Sequence, residues 1–221
     1  MEFKQILFAI EIMGGFAFAL SGAITAIQRR LDVFGVIAIG ITTASAGGII
    51  RDVILGHFPP RIFYSYEYLI ICVLTSLAVF IIAYIAKEKF SINLKLINEI
   101  DNIFDAIGLG LFSVLGVGFG LDDGYAGNAV FCIFLGTITG VGGGIFRDIM
   151  SLSVPLIFRK HIYATASVLG SATYYFMMVN GQGKYWSITV AMLLTFILRM
   201  LATIFKWSLP SINLYEDEKS L

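Results

Sequence analysis

"TGVGGGIFRD", residues 139–148, sets three consecutive glycines two residues before an arginine and an aspartate. Residues 43–52 read "TASAGGIIRD", the same departure made a second time. Each interior glycine costs a helix about 1 kcal/mol relative to alanine. A charge inside a bilayer costs at least about 2.5–3.5 kcal/mol. A chain that accepts both penalties twice, 96 positions apart, is built around them.

The surroundings are those of a membrane protein. The chain has 221 residues, 58% hydrophobic and 14% charged, with a mean hydropathy of +0.87. Soluble domains carry about 25% charged residues. The apolar residues gather into seven windows, 6–27, 33–55, 68–86, 103–121, 126–149, 162–180 and 185–207. Each approaches the ~20 residues that cross a ~30 Å hydrocarbon core, and in lipid such segments must be helices. Glu11 interrupts the first window, and its only basic flank is Lys4 beside Glu2, so it reads as a permanent span and not a signal peptide. A formal net charge of zero offers no basic surface to nucleic acid. Cys72 and Cys132 lie inside apolar windows and read as small buried hydrophobes, not as a disulfide or metal site.

With seven spans, Arg29, Arg30, Lys87, Lys89, Lys95, Arg159, Lys160, Lys206 and Lys219 share one side, against Lys4, Arg61 and Lys184 on the other. The positive-inside rule then puts the N-terminus outside and the C-terminus in the cytoplasm. The expected location is the cell's inner (plasma) membrane.

The signature belongs to a longer repeat. Gly40, Thr43, Ala44 and Gly48 match Gly136, Thr139, Gly140 and Gly144. Downstream, "PRIFYSYEY" (60–68) answers "PLIFRKHIY" (155–163). Upstream, Glu11, Gly14, Phe18 and Gly22 answer Asp105, Gly108, Phe112 and Gly116. Three helices per unit is an odd number, so the second unit enters the membrane from the opposite face. The expected architecture is all-α: a 3+3 inverted repeat, residues 6–86 and 103–180, joined by a linker at 87–102. A seventh helix (185–207) and a solvated tail (208–221) follow. Inverted repeats of this kind place a pathway at the repeat interface near the midplane.

The four-residue glycine stripes suit close helix packing. They do not explain Gly47 beside Gly48, or Gly142 and Gly143 beside Gly144. Those runs predict that the second and fifth helices are broken there, lining a pathway. Thr42, Thr43 and Ser45, with Thr137 and Thr139, put hydroxyls just before the breaks. Each suits either a bond to its own helix or a polar lining. Arg51 and Asp52 are helix neighbours about 100° apart and are expected to need partners elsewhere, as are Arg147 and Asp148. Matching depth predicts two ion pairs, Glu11–Arg51 and Asp105–Arg147; the alternative is arginines snorkelling to headgroups. Phe18 and Phe112 either pack or form a hydrophobic constriction that gates by dewetting. Arg199 has no repeat mate and suits snorkelling, a lipid phosphate, or a seal against the pathway.

No phosphate loop, metal spacing or convergent set of ionisable groups marks an enzyme. His57 and His161, the two histidines, stand in loops. No cofactor or metal is expected.

Two copies of Gly-Gly-x-x-Arg-Asp on the second and fifth helices resemble the prokaryotic branch of the trimeric intracellular cation (TRIC) channels, also called UPF0126 or the glycine-transporter domain. The resemblance covers residues 6 to 207. It implies a homotrimer with one pore per subunit, selective for monovalent cations, potassium foremost and sodium beside it, in contact with membrane lipids. It also implies that the second and fifth helices bend at Gly47–Gly48 and Gly142–Gly144, less severely in the first, where Ala46 replaces a glycine. The lysine motif of animal members is not evident. The residues by themselves leave two readings open beside a purely structural role: a cation channel, and a secondary transporter for a small neutral or zwitterionic solute such as glycine.

Overall fold

The computed structural model describes residues 2–87, 93–159 and 162–207. Lys89, Lys160, His161 and Lys219, and the tail at 208–221, lie outside the described residues. Among the described residues there are eight α-helices, numbered here in chain order. They are α1 (Glu2–Gln28), α2 (Val33–Ile54), α3 (Tyr66–Ile85), α4 (Leu94–Asp122), α5 (Ala129–Met150), α6 (Leu156–Arg159), α7 (Ala164–Val179) and α8 (Lys184–Ile204). Six of them (α1 to α5, and α8) are long and apolar enough to cross a membrane. The window expected as the sixth span holds α7, whose 16 residues rise about 24 Å at 1.5 Å each, short of a ~30 Å hydrocarbon core.

Two boundaries differ from expectation. The stretch read as a linker, 87–102, is not all linker, because α4 begins at Leu94. Its first two turns carry Asn98, which accepts from the Gln28 amide at 2.8 Å, and Asp101, which accepts from Ser21. Contacts with α1 thus hold as helix a segment that its polarity had marked as loop.

The second difference is larger. No break interrupts α2 at Gly47–Gly48 or α5 at Gly142–Gly144; both are α-helical throughout. The glycines answer a packing demand instead. A Cβ on Gly47 would collide with the carbonyl oxygen of Thr139, and one on Gly143 with that of Thr43. A Cβ on Gly142 would sit 2.9 Å from the Gly47 Cα. The two helices therefore meet backbone to backbone, as small residues permit in lipid.

That contact is reciprocal. Gly47 and Gly143 are repeat mates, and so are Thr43 and Thr139, so each half presses its glycine on the other's carbonyl. Phe18 and Phe112 repeat the pattern: a Cβ on Gly14 would meet Phe112, and one on Gly108 would meet Phe18. Within each half the same relations recur. Gly22 faces the Thr43 hydroxyl and Gly116 the Thr139 hydroxyl; Gly40 faces Ser76 and Gly136 faces Ser171. Asp32 caps α2 through the Gly35 amide (2.8 Å), and its counterpart Asn128 caps α5 through the Phe131 amide (3.0 Å).

The helices α1, α2, α4 and α5 form the centre, with α1 against α4 and α2 against α5. On the first pair of contacts, α3 covers α1 and α2; on the second, α7 covers α4 and α5. The last helix, α8, packs on α4 and α7 and has no counterpart in the first half. α4 is buried along its length from Asp105 to Gly120, apart from Ile107.

Candidate functional site

Two buried charge clusters stand at the C-terminal ends of α2 and α5. In the first, Arg51 is 1% exposed. Its Nη2 lies 2.8 Å from Asp52 Oδ1 and 3.9 Å from Glu11 Oε1, and its Nε donates to Asp52 at 2.9 Å. The guanidinium also stacks 3.8 Å from the centre of the Phe119 ring, which Arg61 approaches at 4.3 Å. In the second, Arg147 Nη1 lies 2.9 Å from Asp105 Oδ1 and its Nε 2.9 Å from Asp148 Oδ1. Arg147 also donates to Ser21 at 2.6 Å. Neither arginine is turned to lipid.

The pairing of each arginine with the aspartate beside it corrects the expectation that such neighbours cannot meet. An angle of 100° separates their Cα–Cβ directions, but an arginine reaches sideways with Nε and can fold back over the next residue. The aspartate is held for it. The second oxygen of Asp52 accepts the Arg61 amide at 2.8 Å, and that of Asp148 accepts the Leu156 amide at 2.7 Å. Arg61 and Leu156 are repeat mates that follow Pro60 and Pro155. Each aspartate therefore fastens the loop after its helix and the arginine before it with one carboxylate.

Ser21, Asp101 and Tyr163, for which no role was expected, complete the second cluster together with Arg199. Ser21 passes the network from Arg147 to Asp101, donating at 2.5 Å. Tyr163 donates to Asp105 at 3.2 Å. Arg199 is 1% exposed, reaches Asp105 Oδ2 at 3.7 Å, donates to Thr203 at 2.7 Å and lies 5.0 Å from the Tyr163 ring centre. Burial removes snorkelling, one of the three roles expected for it. Asp101 stands one turn before Asp105 on the same face, a signal present in the sequence but hidden by the linker reading. Ser21 carries no such signal, since its counterpart is Leu115.

Between the clusters stand Phe18 and Phe112, stacked with ring centres 5.2 Å apart and planes 26° apart. Glu11, Ser45, Gly48, Arg51, Asp52 and Phe112 line one cleft on the first cluster's side of this stack. The threonines expected near the breaks are mostly spoken for. Thr43 donates to Ile39, Ser45 to Ile41, Thr137 to Ile133 and Thr139 to Leu135, at 2.6–2.8 Å. Thr43 and Thr139 are fully buried between helices, while Thr42 is half-buried. Gly144 lies against the Tyr163 hydroxyl, whereas Gly48 borders the cleft. No group of metal-ligating side chains exists among the described residues.

A bundle of apolar helices that buries guanidinium–carboxylate networks is an all-helical integral membrane protein. A family model described as "Glycine transporter" matches it twice, at residues 8–84 and 102–179. The UPF0126 inner membrane protein YadS of Escherichia coli (strain K12) is 31% identical over 219 residues, covering 96% of this chain and 99% of the relative. The UPF0126 membrane protein YvgT of Bacillus subtilis (strain 168) is 31% identical over 202 residues, covering 91% and 94%. A prokaryotic TRIC channel crystallised in 0.5 M KCl superimposes with a TM-score of 0.83 at 34% identity, covering 93% of this chain and all of that one. The TRIC orthologue from Rhodobacter sphaeroides gives 0.81 at 27% identity, covering 91% and 99%. The chain belongs to the TRIC/UPF0126 family.

Proposed function

We propose that this protein is a monovalent-cation channel, potassium foremost, with one pore in each subunit of a homotrimer and no enzymatic role. The pore follows the α1–α4 interface. The observation that carries this reading is the order of groups along it: the Glu11 cleft, the Phe18–Phe112 stack, then the Ser21–Asp101–Asp105 network. Polar groups on both sides are thus separated by a plug of two rings, and in this conformation the plug is closed. Apolar constrictions of this kind gate by dewetting. The second cluster brings three carboxylates (Asp101, Asp105, Asp148) to two guanidinium groups (Arg147, Arg199), a balance that favours cations. Likeness to TRIC cation channels supports the same reading.

The reading carries a topology. Units 6–86 and 103–180 are inverted copies, α7 makes the sixth crossing and α8 the seventh, with the N-terminus outside and the C-terminus cytoplasmic in the inner membrane. The reciprocal glycine contacts suit a two-fold relation between the two copies. Because α2 and α5 are continuous, the pathway proposed here follows the α1–α4 seam and not helix breaks.

The family model's description keeps a second reading in play, a transporter for a small solute such as glycine. A substrate carboxylate would be met by an exposed half-helix N-terminus, and uninterrupted α2 and α5 do not supply one. Thallium entry into dye-loaded proteoliposomes separates the two. The channel reading predicts rapid entry that Phe112→Ala accelerates. Slow, saturable counterflow of labelled glycine without thallium entry would replace it with the transporter.

A further inference from the structure

A groove of ≈ 710 Å³ is lined by no residue of either charge cluster. Its apolar wall is made by Ile27 and Leu31 at the end of α1, Phe80 and Ala83 on α3, and Leu94 at the start of α4. Three membrane-crossing helices end here on one face, at Gln28, Ile85 and Leu94. Such ends mark the level where hydrocarbon gives way to headgroups. Tyr84, three-quarters exposed, stands at the mouth as interfacial tyrosines do. Arg30 and Lys87 complete the lining, and none of its nine residues is acidic. The Gln28–Asn98 hydrogen bond braces α1 against α4 beside the mouth.

We propose that this groove binds one anionic phospholipid, an acyl chain along the Ile27–Phe80–Leu94 wall and the phosphate between Arg30 and Lys87. The volume falls within the ~300–1,000 Å³ of ligand pockets. Basic pockets between membrane helices recognise anionic headgroups. Charge and apolarity select together. A free phosphate has no use for the wall, an uncharged apolar molecule none for the cations, and a helix from a second copy would meet two positive charges at the rim. None of the lining residues belongs to the proposed pore, so the inference does not depend on conduction.

The test is native mass spectrometry of delipidated full-length protein in detergent, titrated with phosphatidylglycerol, phosphatidylcholine or inorganic phosphate. One saturable phosphatidylglycerol per chain is expected, with weaker phosphatidylcholine and no competition from phosphate. Arg30→Asn with Lys87→Gln should weaken phosphatidylglycerol about 25-fold, about fivefold per cation, and leave phosphatidylcholine unchanged. Asparagine suits the φ of 61° at residue 30. Ala83→Trp, which fills the wall and keeps both cations, should expel the lipid and supplies the test should the double variant fail to fold. Equal binding of the two lipids, competition by phosphate, or indifference to both variants would overturn the assignment. So would cross-links between subunits through cysteines placed at Phe80 and Leu94.

Discussion

Gly47 of α2 lies directly on the carbonyl oxygen of Thr139 in α5, and its repeat mate Gly143 lies on that of Thr43. A neighbour one position along behaves differently. A Cβ on Gly48 would meet only the Arg51 guanidinium, at an ordinary 3.7 Å. Adjacent glycines of one motif therefore carry opposite expectations. Gly47→Ala and Gly143→Ala should each destabilise the protein by about 1–3 kcal/mol through overpacking against backbone. Gly48→Ala should leave stability unchanged or raise it by up to ~1 kcal/mol. Thermal unfolding of the three variants in detergent checks this; equal losses at Gly47 and Gly48 would contradict it.

Asp148 holds Arg147 at 2.9 Å and the Leu156 amide at 2.7 Å. Asp148→Asn removes one of the two carboxylates on Arg147 while Asp105 stays at 2.9 Å, so the loss should be about 1.5–3 kcal/mol, that of a hydrogen bond to a charged group. Removing the charge as well, in Arg147→Met/Asp148→Asn, should recover part of that loss. A double-mutant cycle by thermal unfolding reads the coupling; additive losses would show that the two side chains act separately.

Asp101 reaches the network through Ser21, on the side where carboxylates outnumber guanidinium groups. Asp101→Asn should lower potassium conductance, more at low ionic strength than at high, because salt screens the attraction. A reduction independent of salt would place Asp101 in the packing alone.

The hydroxyls of Thr43 and Thr139 donate to their own helices and lie buried against Gly22 and Gly116. Thr43→Val and Thr139→Val should therefore change unitary conductance little, while Phe18→Ala and Phe112→Ala raise open probability. A large conductance loss in the threonine variants would return the pathway to the α2–α5 crossing.

Much of this was legible in the chain. Glu11, Arg51, Asp105 and Arg147 stand out because charge is rare in apolar windows, and the repeat pairs their depths. The Arg–Asp neighbours were misjudged because helical angle counts Cα directions and not the length of an arginine side chain. Nor does it reveal that an amide eight or nine residues on would hold the aspartate in place. The glycines were misread for a similar reason. Propensity is local, whereas the demand at Gly47 comes from Thr139, 92 residues away. Ser21 and Tyr163 were silent because serine and tyrosine carry no charge to betray a buried network.

The most direct test is single-channel recording of the purified protein in planar bilayers under a potassium chloride gradient. The account predicts discrete steps reversing near the potassium potential, with longer openings in Phe18→Ala and Phe112→Ala. Silent bilayers, from a preparation that accumulates labelled glycine in liposomes, would contradict it.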